Sequence, residues 1–157
     1  LSNFSAKQIK EVHRIEPISC VEIPYNLIDR KFGIDVFSIC DEYNINVLAY
    51  GPLAQGYLTG KYHSGVQFGN NDRRNILDHF QNKAMISNHK VLEKLKELSK
   101  KYECTYANIA LRWVLDSKSI TSVIAGAKNV QQLNDNLNIF NLKLDQDDIS
   151  ELTNIIS

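Results

Sequence analysis

The sequence predicts an α/β fold built on a parallel sheet, and three observations carry that expectation. Short apolar runs at Cys20-Val21-Glu22-Ile23, Val47-Leu48-Ala49-Tyr50 and Ser122-Val123-Ile124-Ala125 have the length of strands and end in turn residues. Segments of helical period separate them through connections of a few residues, the order of repeated βα units. The count is the third: three whole strands, with a start that reads as cut just after another, make about half of an eight-stranded barrel, complete examples of which run to ~250 residues. Three parallel strands alone would leave two raw sheet edges and an inward face with nothing opposite.

Each element follows from local chemistry. Ser5 and Gln8 have capping-box spacing and Ile9, Val12 and Ile15 recur at helical intervals, so a helix is expected from about Ala6 to Ile15, ended by Pro17. The first strand closes at Pro24-Tyr25-Asn26, and Ile34, Val36, Phe37, Ile39 and Cys40 form the apolar face of a helix reaching about Tyr43. Asn44 and Asn46 flank the turn into the second strand, whose unbroken run of apolar residues predicts burial on both faces. The stretch from Gly51 to Lys61 then carries three glycines, a proline and almost no charge, a shaped loop at a strand's C-terminal end, where α/β folds place their ligands.

Tyr62 to Ser87 breaks the rhythm, being polar and without a sustained period, and is expected to be a long functional or mobile loop. Asn88 to Lys101 is amphipathic, with Val91, Leu92, Leu95 and Leu98 inward and Glu93, Lys94, Lys96 and Glu97 on a solvated face. Thr105 caps the next helix, whose Ile109, Ala110, Trp113 and Val114 read as a core stripe. Beyond the third strand, Gly126 to Asn129 is an exit loop, Asn129 caps a helix over Val130 to Ile139, and Asp145 opens a last helix carrying Ile149, Leu152 and Ile156.

Composition bounds the function. The 157 residues fit one domain, 1–157, with 43% hydrophobic and 23% charged residues. Lys plus Arg equals Asp plus Glu at 18 each, so no basic excess argues for nucleic acid or an anionic membrane. No apolar run is long enough to span a bilayer, and Cys20, Cys40 and Cys104 are scattered without metal-ligand spacing, which points to reduced thiols in a cytoplasmic protein. The chain begins with Leu1 rather than methionine, which suggests a fragment, a processed product or part of a longer protein.

Six segments in order sharpen the reading: LSNFS at the start, VEIPYNLIDR at 21 to 30, VLAYGPLAQGYLTGKY at 47 to 62, DRR at 72 to 74, ALRWVL at 110 to 115 and VIAGAKNVQQLNDNL at 123 to 137. With these the chain resembles the C-terminal half of an aldo-keto reductase, a TIM-type (β/α)8 barrel that reduces carbonyls with NADPH. The resemblance covers nearly the whole chain and implies strands 6 to 8 of the barrel with the exit of strand 5.

It also implies site residues. Ser2 and Asn3 correspond to the pair that hydrogen-bonds the nicotinamide carboxamide, as a hydroxyl and an amide can. Glu22 stands where most of the family has glutamine; an ionised carboxylate accepts from the carboxamide NH2 but cannot donate to its oxygen, and pairing with a lysine or arginine inside the barrel is the alternative. Tyr50 corresponds to the aromatic ring stacked on the nicotinamide. Gly51, Leu53, Gln55 and Gly60 correspond to the loop along the pyrophosphate, where absent side chains admit close approach of N–H groups. Gly126 and Lys128 enter a helix N-terminus in the adenosine-phosphate segment, with Lys128 as the charge for a 2′-phosphate, while Gln132 and Asn136, four apart, would face the adenine. Gln132 replaces the arginine of some members, so NADH is the alternative cofactor to NADPH.

The family's catalytic Asp, Tyr, Lys and His sit on the first four strand exits and have no counterparts in this sequence; His13, His63, His79 and His89 fall in helix or loop and receive no catalytic role. Three functions follow from the resemblance. One is reduction of a small carbonyl substrate by the complete barrel, with this chain as its cofactor-binding half. Another is a cofactor-sensing module of the potassium-channel β-subunit type. The last is a truncated remnant that associates with another copy through its open edges.

Overall fold

In a computed structural model the chain folds as helices packed on one face of a three-stranded parallel sheet, and the structure describes residues 1–156, apart from the side chain of Ile34. The expected place of Ile34 on a helix's apolar face lies outside the described residues. The order along the chain is α1 (Ala6–His13), β1 (Cys20–Pro24), α2 (Gly33–Tyr43), β2 (Asn46–Tyr50), α3 (Asn82–Ser87), α4 (His89–Lys101), α5 (Tyr106–Leu115), β3 (Ser122–Ile124), α6 (Val130–Leu137) and α7 (Gln146–Asn154). Short 3-10 turns at Ala54–Thr59, Arg73–Ile76, Asp78–Phe80 and Asn138–Asn141 complete it.

Helix starts behave as local chemistry dictates. The Gln8 N–H donates to Ser5 Oγ at 3.4 Å and the Ser5 N–H donates back to Gln8 Oε1 at 2.9 Å, a capping box that satisfies two orphan donors. Thr105 and Asn108 repeat the arrangement at α5, each backbone N–H donating to the other's side chain at 3.1 Å. The first helix stops at His13, two residues before the expected end, and the chain turns through Arg14 to Glu16 ahead of Pro17. α6 likewise ends at Leu137, where the chain tightens into the 3-10 turn at Asn138–Asn141 instead of continuing to Ile139.

The strands lie in the order β1-β2-β3, with Val21 opposite Val47, Ile23 opposite Ala49, and Tyr50 opposite both Pro24 and Ile124. Val21, Ile23, Val47 and Ala49 are buried in one core with Ile9, Val36 and Cys40 of the helical layer. Burial on both faces of β2 is not what the structure has. Val47 and Ala49 are buried while Leu48 and Tyr50 remain half-exposed, because the opposite face of the sheet has no layer packed on it among the described residues. The continuous apolar run is the pattern of a closed interior, and here only one of its faces is covered.

The segment from Tyr62 to Ser87 is also more ordered than its lack of period predicts. It holds α3 and two 3-10 turns, and its aromatic side chains form their own cluster: Tyr62, Phe68 and Phe80 meet pairwise at ring separations of 5.3, 5.4 and 5.0 Å. Edge-to-face aromatic packing needs no fixed sequence interval, which is why periodicity does not reveal it. Among the described residues, no helix is long and apolar enough to cross a membrane.

Candidate functional site

The C-terminal ends of the strands deliver three loops to one side of the sheet, and two of these loops border a cleft of about 650 Å³. After β2 the backbone turns sharply. Gly51 has φ 61°, and Ala54, Gln55 and Gly56 follow with φ 46°, 50° and 91°, a left-handed run in which each non-glycine residue costs roughly 1 kcal/mol. The surroundings hold it in place. Asn26 Nδ2 donates to the Gly51 carbonyl at 3.1 Å while Asn26 Oδ1 accepts from the Ile28 and Asp29 N–H groups at 3.0 and 2.9 Å, so one buried amide ties the loop after β1 to the loop after β2. Ala54 and Tyr57 are fully buried beneath the turn, and Tyr57 Oη donates to the Met85 carbonyl at 3.3 Å.

The loop after β3 is shaped by α6. Asn129 accepts from the Gln132 N–H at 2.9 Å, Gln132 Oε1 accepts from the Lys128 N–H at 2.8 Å, and Asn136 Nδ2 donates to the Gly126 carbonyl at 3.4 Å. Gln132 and Asn136 thus share a helix face, as their spacing predicts, and both brace the loop they border. Gly51, Leu53, Gln55, Gly126, Lys128, Gln132 and Asn136 all line this one cleft, although the two segments lie about seventy positions apart in the chain.

The other expected site residues lie elsewhere. Ser2 bridges Glu22 in parallel register, with the Glu22 N–H donating to the Leu1 carbonyl at 2.7 Å and the Asn3 N–H donating to the Glu22 carbonyl at 3.0 Å. Asn3, at φ 59°, accepts from Tyr50 Oη at 2.9 Å. Ser2, Asn3, Glu22 and Tyr50 therefore form a second group toward the open face of the sheet, with Tyr50 at the C-terminal end of β2 and Glu22 in the middle of β1. The Glu22 side chain makes no ion pair among the described residues, so an internal lysine or arginine partner is not found there.

Gly60 borders a different hollow of about 820 Å³, floored by Tyr57, Met85, Leu92 and Tyr106 and rimmed by α4 charges. A Cβ on Gly60 would stand 2.6 Å from the Tyr106 ring, and its φ of 75° is itself a glycine conformation. That hollow, though larger, lies away from the strand ends; ligands of parallel α/β folds bind beyond them, so the smaller cleft is the candidate site.

Sequence reading missed two cations that complete the cleft. Lys61 and Arg74 line it together with Lys128 and the Tyr62 phenol, against a single lining carboxylate, Asp135. Arg74 is held by a fork to Asp72, Nε donating to Oδ1 at 2.9 Å with a second, shorter bond from Nη2 to Oδ2, while Nη1 donates to Tyr62 Oη. Its guanidinium also stacks 4.2 Å from the Phe68 ring centroid. The Arg74 hydrogen bonds pull the Asp72 carboxyl down to about 2, and the charge of Lys128 adds to the pull. The motif DRR was visible; that its second arginine points at the strand-end cleft was not.

Three cations, Lys61, Arg74 and Lys128, against one carboxylate suit an anionic ligand. Among the described residues, no group of three His, Cys, Asp or Glu side chains is placed to hold a metal ion. The three cysteines are free thiols.

The sequence model described as the aldo/keto reductase family matches residues 1–157. A probable aldo-keto reductase 1 from Glycine max is 30% identical over 154 residues, covering 97% of this chain and 44% of the relative. The aldo-keto reductase str7 from Strobilurus tenacellus is 28% identical over 155 residues, 96% of this chain and 46% of the relative. Among solved structures, the glycerol dehydrogenase AKR11B4 from Gluconobacter oxydans superposes with a TM-score of 0.88 at 27% identity, covering 99% of this chain and 47% of that one. The thermostable aldo-keto reductase Tm1743, at 22% identity and a TM-score of 0.70 over 98% of this chain and 46% of that one, supports the fold. The chain spans about half the length of the curated relatives it matches, and it belongs to the aldo/keto reductase family.

Proposed function

We propose that this chain is the nucleotide-binding half of an NADPH-dependent reductase of small aldehydes or ketones, completed by a half-barrel that supplies the proton-transfer residues. The observation that carries the reading is the cleft, where Gly51 to Gln55 and Gly126 to Asn136 meet around Lys61, Arg74 and Lys128. The residues present fit a dinucleotide. The turn at Gly51 to Gly56 would lie along the pyrophosphate, Lys128 and Arg74 would neutralise phosphate charge, and Asn136 would face the adenine. On the open face of the sheet, Tyr50 would carry the nicotinamide ring and Ser2 and Asn3 its carboxamide, with Glu22 accepting from the amide NH2.

Bound there, the dinucleotide supplies the hydride that reduces a carbonyl carbon. This chain's residues fix which ring face is presented and shield it. One neighbouring structure is named a glycerol dehydrogenase, and oxidation of an alcohol is the reverse of the same transfer.

The uncovered surfaces fit a completing half-barrel. The outer edge of β3 is unpaired and Ile124 is 45% exposed on the open face. α6 buries none of its residues, leaving Val130 at 72% and Phe140 just beyond it at 68% exposure. Such edges and faces are what adjoining βα units cover in a barrel. A cytoplasmic setting suits the three free thiols.

Fluorescence titration with NADPH and NADH, of the chain alone and joined to a completing half-barrel, tests the reading. Weak binding by the chain and micromolar, NADPH-preferring binding with aldehyde turnover by the completed barrel are expected. A completed barrel that binds neither nucleotide would refute it.

A further inference from the structure

The loop after β1 holds the turn that lines the cleft through a side chain that does not itself line it. Asn26 is buried, its Oδ1 accepting from the Ile28 and Asp29 N–H groups at 3.0 and 2.9 Å and its Nδ2 donating to the Gly51 carbonyl at 3.1 Å. The first two bonds close a turn in the residue's own loop, for which a carboxylate would serve as well; the third needs the amide nitrogen. The same Gly51 carbonyl accepts from the Ala54 N–H at 3.0 Å, so its direction sets where the left-handed run of Ala54, Gln55 and Gly56 begins. Gly51, Leu53, Gln55 and Gly56 all line the cleft.

A side chain can aim a turn only if its own loop is fixed, and Arg30 fixes this one. Its Nε and Nη2 donate to the Leu27 carbonyl at 3.2 and 3.0 Å, while Nη2 and Nη1 donate to the Leu152 and Thr153 carbonyls of α7 at 3.1 and 2.6 Å. The guanidinium lies 4.8 Å from the Trp113 ring centroid. On the strand side, the Tyr25 N–H donates to the Tyr50 carbonyl at 3.2 Å, which joins the chain immediately before Asn26 to the chain immediately before Gly51.

We propose that Asn26 is a positioning residue for the cleft: its Nδ2–H fixes the Gly51 carbonyl and, through it, the left-handed turn 54–56 that a bound ligand would meet. Ala54 and Gln55 hold a conformation that residues with a side chain avoid, so the turn relaxes when its anchor is cut. A turn already ordered before binding spares the ligand the cost of ordering it. Replacing the amide by a carboxylate separates the two jobs of the side chain. Both N–H bonds within the loop survive, but an oxygen now faces the Gly51 carbonyl oxygen and the tie between the loops is lost. The consequence for nucleotide binding rests on the proposed function; the clamp itself does not.

Residue-resolved hydrogen exchange by NMR at neutral pH, on the chain as it is, tests the clamp. In the unmodified chain the Asn26 Nδ2–H should exchange slowly and in step with the Ala54 N–H; a freely exchanging side-chain amide beside a protected Ala54 overturns the proposal without need of a variant. In Asn26→Asp the Ala54 and Gly56 N–H groups should exchange about tenfold faster, while Ile28, Asp29 and the amides of α5 change by less than about twofold. Unchanged exchange at Ala54 overturns the proposal, and so does a loss shared equally by Ile28, Asp29 and Ala54, which would make Asn26 a brace for its own loop alone. In the completed barrel, Asn26→Asp should raise the nucleotide KM by about tenfold and leave kcat near its unmodified value, a split that a general loss of folded protein would not produce. An unchanged KM beside a loosened turn would overturn the link to the cleft. A completed barrel that binds no nucleotide even unmodified would remove the proposed function, and the exchange rates would still decide the clamp.

Discussion

Tyr50 Oη donates to Asn3 Oδ1 at 2.9 Å, which joins the C-terminal end of β2 to the segment paired with β1 on its far side. Two residues 47 positions apart, each matched to the nicotinamide end of a bound cofactor by resemblance alone, are thus neighbours in space. Removing the phenol should weaken both the join and the shape of that end. Tyr50→Phe is expected to lower stability by about 1 kcal/mol or less, as for a net neutral hydrogen bond at an exposed site, read by urea denaturation. Tyr50→Ala should in addition cost the completed barrel about tenfold in nucleotide affinity by removing the ring face. Equal nucleotide affinity in Tyr50→Ala and the unmodified protein would remove the stacking role.

Lys128 gives a charge-specific prediction. Opposite a 2′-phosphate, Lys128→Ala should weaken NADPH binding by about tenfold or more while changing NADH binding little, since a hydrogen bond to a charged group contributes about 1.5–3 kcal/mol. Loss of preference measured by titration of both nucleotides checks it; an equal loss for the two would move Lys128 to the pyrophosphate.

Acid should loosen the excursion between Tyr62 and Ser87. Arg74 holds the Asp72 carboxyl at about 2, below its ordinary 3.8. A carboxyl whose folded-state pKa is depressed stabilises above the ordinary value and loses that contribution as pH falls through the folded one. Exchange protection across residues 66–80 should therefore drop between about pH 4 and pH 2. Asp72→Asn should show reduced protection at neutral pH with little further change over that window, and an unchanged acid profile in this variant would place the titrating group elsewhere.

Gly60 is expected to be intolerant for a packing reason. An added Cβ would meet the Tyr106 ring at 2.6 Å and the backbone is at φ 75°, so Gly60→Ala should destabilise by about 2 kcal/mol. Gly69→Ala meets nothing within 4 Å and serves as the control. Thermal or urea denaturation of the two variants measures the difference, and similar midpoints would show that the Tyr106 contact relaxes freely.

What the sequence determined by itself is the set of features whose causes are local. The capping boxes at Ser5–Gln8 and Thr105–Asn108 form between residues three apart, and the strands at Cys20, Asn46 and Ser122 are short apolar runs ended by turn chemistry, so residue order was enough to place them. The same holds for Asn129 as the cap of α6 and for Gln132 and Asn136 on one helix face, while their hydrogen bonds to the Lys128 and Gly126 backbone came from the structure. Tertiary structure alone decided matters that depend on which distant groups meet. It folds the aperiodic excursion through ring contacts among Tyr62, Phe68 and Phe80, and through them aims Arg74 into the cleft beside Lys128. It turns Gly60 toward Tyr106 rather than toward the cleft, and leaves Leu48 and Tyr50 on an uncovered face that an apolar run had marked for burial. Side-chain packing and charge pairing act through space without a fixed sequence interval, so no periodicity in the chain records them.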